Sequence, residues 1–94
     1  MKVTVTMKAS EIETTREWLA RAGEFPTIAY NYALEIEKLL SKAKATPEDG
    51  RELAELVAGL RNDAMRAEMV RNALRSVLET AKITDAEGRK GRLQ

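Results

Sequence analysis

The stretch Lys2-Val3-Thr4-Val5-Thr6-Met7-Lys8 decides how the rest of the chain is read. It alternates strictly, with Val3, Val5 and Met7 on one face and Lys2, Thr4, Thr6 and Lys8 on the other. Period-two alternation of β-branched residues predicts a β-strand over about residues 2–8, since successive side chains of a strand point to opposite faces. No other segment carries this period. A single strand of about six residues leaves its backbone donors and acceptors without partners in water, so it must pair with something outside the chain. A second copy is the simplest supplier. The expectation is an antiparallel two-stranded ribbon in a symmetric homodimer, with Val3, Val5 and Met7 turned toward the helices. Addition to another protein's sheet is the other route.

Downstream, the period changes to that of a helix. Ser10 and Glu13 form a Ser-x-x-Glu capping box, followed by Ile12, Leu19 and Ala22 at helical spacing, and Gly23 suits the residue after a helix end. This predicts a helix over about 10–22. Thr27 is placed to cap a second helix over about 27–45, with Ile28, Tyr32, Ile36, Leu39 and Ala43 as its apolar stripe. Thr46-Pro47 closes that segment and opens the next, because proline suits the first helical position and Glu48 and Asp49 suit a helix N-terminus. From 47 to 82 one stripe stays in phase: Leu53, Val57, Leu60, Ala64, Ala67, Val70, Leu74, Val77 and Ala81. Only Gly59 and the Asn62-Asp63 pair speak against helix in this segment. The spacing predicts one helix over 47–82, which either projects toward a partner or breaks near Gly59 into a hairpin. Residues 84–94, with Gly88 and Gly91 among Arg89, Lys90 and Arg92, read as a basic tail. The fold class is therefore mainly α, with one N-terminal strand and three helices.

Strand, helix ending in glycine, short link and capped helix resembles the ribbon-helix-helix family of DNA-binding regulators, the methionine-repressor and Arc type. The likeness is carried by the alternating residues 3–7, Ile12 and Leu19, Gly23, Thr27, and Ala33-Leu34 in the second helix, and covers residues 1–45. It implies a dimeric DNA-binding module over 1–45, whose ribbon enters the major groove with Lys2, Thr4 and Thr6 toward base edges. It also implies a phosphate contact at the second helix's N-terminus at Thr27, with Lys8 adding charge toward the DNA backbone. Residues 46–83 would then be a helical extension for oligomerisation or partner binding.

Composition narrows the alternatives. With no cysteine and no histidine, the chain has no disulfide, no thiolate nucleophile, no Cys/His zinc site and no imidazole base. No constellation of carboxylates or glycines supplies catalytic chemistry, so we expect no enzyme and no cofactor. Sixteen basic against fifteen acidic residues leave a net charge of +1, so no global field points to nucleic acid or membrane. No apolar run is long enough to span a bilayer, and a cytoplasmic protein without membrane association is expected.

A second function follows from the same residues. Tyr30 and Leu34 lie off the main stripe of their helix, and Met65 and Met69 form a second apolar line beside theirs. Together with Val3, Val5 and Met7 they are the candidate dimer or partner interface. Arg61, Arg66, Arg71 and Arg75 alternate with Asp63, Glu68 and Glu79, which reads as a solvated face of weak ion pairs. Near-zero charge and a ribbon without Arg, Asn or Gln fit a small α-helical inhibitor or adaptor that binds a protein partner through residues 46–83 and no DNA.

Overall fold

The computed structural model describes residues 3–84. A short strand β1 (Thr6–Met7) leads into α1 (Ala9–Glu24), a single 3-10 turn (Pro26–Ile28), α2 (Ala29–Leu40), α3 (Pro47–Asn62), α4 (Ala67–Glu79) and a second strand β2 (Lys82–Ile83). α1 packs on α2, α2 on α3 and α3 on α4, and α4 returns to α1, which closes a four-helix bundle. Val3, Val5 and Met7 are buried in its core with Ile12, Leu19, Ile36, Leu53, Leu60 and Leu74. The alternation of the first residues thus sets an inward face, as read.

The expectation that this strand has no partner within the chain is corrected. β1 pairs in parallel with β2, Thr6 against Lys82 and Met7 against Ile83. The Lys82 N–H donates to the Val5 carbonyl at 2.9 Å and the Thr84 N–H to the Met7 carbonyl at 3.0 Å. On the opposite edge, Thr6 and Lys44 form an antiparallel bridge, exchanging both bonds at 2.8 and 3.0 Å. The Thr4 N–H donates to Asp49 Oδ2 at 3.2 Å. Both edges of residues 5–7 are therefore occupied by the same molecule. The partners are only one or two residues long, too short to show a period in sequence.

Helix boundaries differ from expectation for local reasons. α1 begins directly after Lys8, whose carbonyl accepts from the Glu11 and Ile12 N–H groups. Ser10 is therefore already inside the first turn, and no side chain caps this helix. Gly23 does not end α1. The helix continues through Glu24, with no residue at positive φ, and stops where Phe25 precedes Pro26, because a residue before proline is pushed out of the α region. Thr27 lies exposed inside the 3-10 turn instead of capping α2. α2 ends at Leu40 and not near residue 45, because Lys44 is drawn out to pair with Thr6. Its buried stripe is Ala33, Ile36 and Leu40, and Ile28 is exposed. Thr46 does cap α3 as read, accepting from the Asp49 N–H at 3.0 Å.

The 47–82 segment is two helices, and the break falls at residues 63–66, at the Asn62-Asp63 pair and not at Gly59 itself. Asp63 Oδ1 accepts from the Met65 N–H at 3.1 Å and the Arg66 N–H at 3.3 Å, a side-chain turn of the kind that competes with helix. Gly59 remains helical and serves the crossing, since a Cβ there would sit 3.2 Å from Val70 Cγ2. Buried Thr15 is satisfied within its helix, its hydroxyl donating to the Glu11 carbonyl at 2.6 Å.

Two measurements check this account. Thr46→Ala should lower unfolding free energy by about 1 kcal/mol, whereas Ser10→Ala should stay within about 0.5 kcal/mol in denaturant titration. Amide exchange at Thr6, Lys44, Lys82 and Thr84 should be slowed equally at low and high protein concentration. Protection of Thr6 that grows with concentration would instead indicate pairing between copies.

Candidate protein-interaction surface

At one end of the bundle the corner joining α1 to α2 faces the corner joining α3 to α4. Pro26 breaks the helical phase after α1, leaving Phe25, Ile28 and Tyr30 exposed on the first corner. The Asp63 turn displays Met65 on the second, 95% exposed, with Met69 one turn later at 68%. Because the Met65 amide is held by Asp63, this exposure belongs to a hydrogen-bonded turn and not to a frayed end. Among the described residues, five of the six exposed large apolar side chains occupy these two corners, Ile83 being the sixth. Scattered exposed apolar residues are ordinary, but such a concentration is a mark of a binding surface.

Between the corners runs a groove of about 440 Å³. Pro26, Ala29 and Tyr30 form one wall, Ala64, Met65, Ala67 and Glu68 the other, and Ala22, Gly23 and Leu60 also line it. Its scale suits a few side chains of a partner. A smaller slot of about 280 Å³ between the end of α2 and the start of α3 is lined by Leu40, Ala43, Ala45, Leu53, Ala54 and Val57 among others. None of the large apolar side chains that line it is exposed.

The charged residues here do not follow one rule. Arg61 leaves its own helix face to pair with Glu37 of α2, and Arg66 approaches Asp63 at 3.9 Å. Arg71 and Glu68, also on the groove, make no ion pair among the described residues. The Arg71 side chain instead lies over α1, its Nε 3.2 Å from where a Cβ on Gly23 would be. The Trp18 and Tyr32 rings meet at 5.4 Å in a tilted pair that joins α1 to α2.

The residues read from sequence are dispersed. Lys2 lies outside the described residues, as do residues 85–94 of the basic tail. Thr4 and Lys8 are exposed, and Thr6 is half-buried beside the paired strand. Thr27 follows the far end of α1, about 24 Å of helix from Lys8 for sixteen residues at roughly 1.5 Å each. Within one copy these residues do not form a single surface. Val3, Val5 and Met7 are in their own chain's core. Tyr30 and Met65 do line the same groove, Met69 is exposed on α4 outside it, and Leu34 is half-buried farther along α2. Sequence reading missed the groove itself, and with it Arg71 and Gly23, though the phase reset at Pro26 was visible.

Among the described residues no three His, Cys, Asp or Glu side chains are grouped to hold a metal ion, and no helix is long and apolar enough to cross a membrane. No protein-family model matches the sequence, and neither does any curated protein or solved structure.

The two helical glycines give a direct test of which contacts are stiff. Alanine is favoured over glycine within a helix by up to about 1 kcal/mol. Gly23→Ala should realise part of that, because the neighbour is the end of a flexible arginine. Gly59→Ala should fall short of it or destabilise, because Val70 cannot swing aside. Equal gains in thermal midpoint at both positions would mean that α3 and α4 cross less closely than described.

Proposed function

We propose that this chain is a small α-helical binding protein, an inhibitor or adaptor that acts by covering part of another protein's surface. The observation that carries the reading is Met65, almost fully exposed on a turn fixed by hydrogen bonds and beside a groove walled by Tyr30 and Pro26. Flexible methionines suit such work because an unbranched thioether adapts to the shape it meets. A rigid tyrosine adds contact area at low entropic cost. In this reading Met65, Met69 and Tyr30 are the anchors and the polar residues around the groove form the rim.

A DNA-binding regulator of ribbon-helix-helix type draws less support. Its ribbon needs the strand edges of residues 5–7, which are already hydrogen-bonded to Lys44 and to 82–84 of the same chain. Pairing two copies there would require displacing one of these segments.

The test begins with a photo-crosslinker at Met65 to identify the bound protein, followed by calorimetry with that partner purified. Met65→Glu combined with Met69→Glu should weaken binding about 30-fold or more while leaving the helical content and thermal midpoint unchanged. Lys2→Ala with Thr4→Ala should bind as the parent does. Salt-dependent affinity for duplex DNA that the second pair abolishes and the first leaves intact would overturn the proposal in favour of the regulator.

A further inference from the structure

The chain has four methionines and no cysteine, so thioether sulfur is the only sulfur it offers to an oxidant. The fold sorts these side chains sharply. Met7 is 2% exposed in the core, whereas Met65 is 95% and Met69 68% exposed. Met1 lies outside the described residues. Both exposed thioethers stand where α3 gives way to α4, Met65 on the connecting turn and Met69 at the start of α4. Neither belongs to the core or packs against it. The turn that displays Met65 is held by the Met65 and Arg66 amides donating to Asp63 Oδ1, so it does not depend on the methionine side chain. These two sulfurs are free to change chemically without disturbing the fold.

We infer that Met65 and Met69 form a reversible oxidation site, at which a hydroperoxide converts the thioethers to sulfoxides and thereby releases the bound protein. A sulfur lone pair attacks one peroxide oxygen, and the S–O bond forms as the O–O bond breaks. The displaced oxygen leaves with the proton as water or an alcohol. Sulfur loses two electrons and the peroxide gains them. The oxidant has to reach the sulfur directly, which the two exposed side chains allow and the burial of Met7 opposes. Oxidation turns a flexible apolar side chain into a polar one. On a surface anchored by these thioethers, it sets a solvated dipole where a partner's apolar atoms must pack, and burying that dipole unpaired is costly. Binding is lost while the bundle stays folded. Reduction by two thiols returns the thioether, with a disulfide and water as the other products. The release of a partner rests on the proposed role of Met65 and Met69 as anchors, whereas the order in which the methionines oxidise does not.

The experiment treats the full chain with dilute hydrogen peroxide and follows each methionine by peptide mass spectrometry, with circular dichroism to verify folding. Met65 and Met69 should each gain one oxygen at least about tenfold faster than Met7, with helical content unchanged. By calorimetry, the oxidised chain should bind the protein identified through the Met65 crosslink at least about tenfold more weakly. Methionine sulfoxide reductases of both epimer specificities, with dithiothreitol, should restore the affinity. Met65→Leu with Met69→Leu, close in volume and inert to peroxide, should bind within about threefold of the parent and keep that affinity after the same treatment. Met7 oxidising as fast as Met65, an oxidised chain that binds as the parent does, or a double-leucine variant that still loses binding on treatment would overturn the inference. Failure of the proposed function has a different signature: Met65→Glu with Met69→Glu then leaves target binding intact, and the oxidation order stands with nothing to release. Binding that the glutamates abolish and the sulfoxides spare loses the oxidation switch alone.

Discussion

The structure depends on the hydrogen bonds made by residues 5–7. They bind the start of the chain to Lys44, in the link between α2 and α3, and to residues 82–84 just after α4. Without them the bundle would still have amphipathic helices, but nothing would fix Val3, Val5 and Met7 as the inward face that fills the end of the core. A two-residue ladder is weak in isolation. Here it is embedded, with paired backbone on both edges and fully buried side chains beneath, so strand and helices stabilise one another.

Much of this was legible beforehand. The inward face of Val3, Val5 and Met7, the core positions Ile12 and Leu19, the Thr46 cap and the buried positions Leu53, Val57, Leu60, Val70, Leu74 and Val77 were all set by period and capping chemistry, whereas Ala64 of the same stripe is exposed in the turn between α3 and α4. What failed was an argument by absence. Lys44 and Lys82–Ile83 are strand by position alone, and a segment that short has no pattern to read. The remaining misplacements share a cause. Ser10, Gly23 and Thr27 are residues with end-of-helix propensity, and each was overridden by a neighbouring constraint: the exit of β1 at Lys8, or Pro26. Of the two interruptions visible between 47 and 82, Gly59 and the Asn62-Asp63 pair, Gly59 does not break the helix, and its lack of a side chain admits Val70. Asp63, able to satisfy two backbone amides, ended the helix instead.

For the candidate surface, the off-stripe positions of Tyr30, Leu34, Met65 and Met69 were visible in sequence; Tyr30, Met65 and Met69 are exposed and Leu34 is half-buried, while the exposure of Phe25 and of Ile28, read as part of the stripe, was not foreseen. The concavity between them was not, because it arises from two corners separated by more than thirty residues. The arginine row was read as one solvated face of weak ion pairs. In three dimensions it divides, with Arg61 crossing to Glu37, Arg66 turning to Asp63 and Arg71 lying over Gly23. Sequence offsets along one helix cannot foresee a partner supplied by another.

The parallel pairing of β1 with β2 also governs when the molecule can become complete. Thr6 leaves a ribosome well before its ladder partner Lys82, which emerges 76 positions later. At a typical elongation rate of about 5–20 residues per second, the edge of β1 that pairs with β2 therefore waits roughly 4–15 s for its partner. The last-made segment of the described fold is the latch for the first, so this bundle closes only once translation of that segment has finished, and a nascent-chain chaperone has several seconds in which to find it.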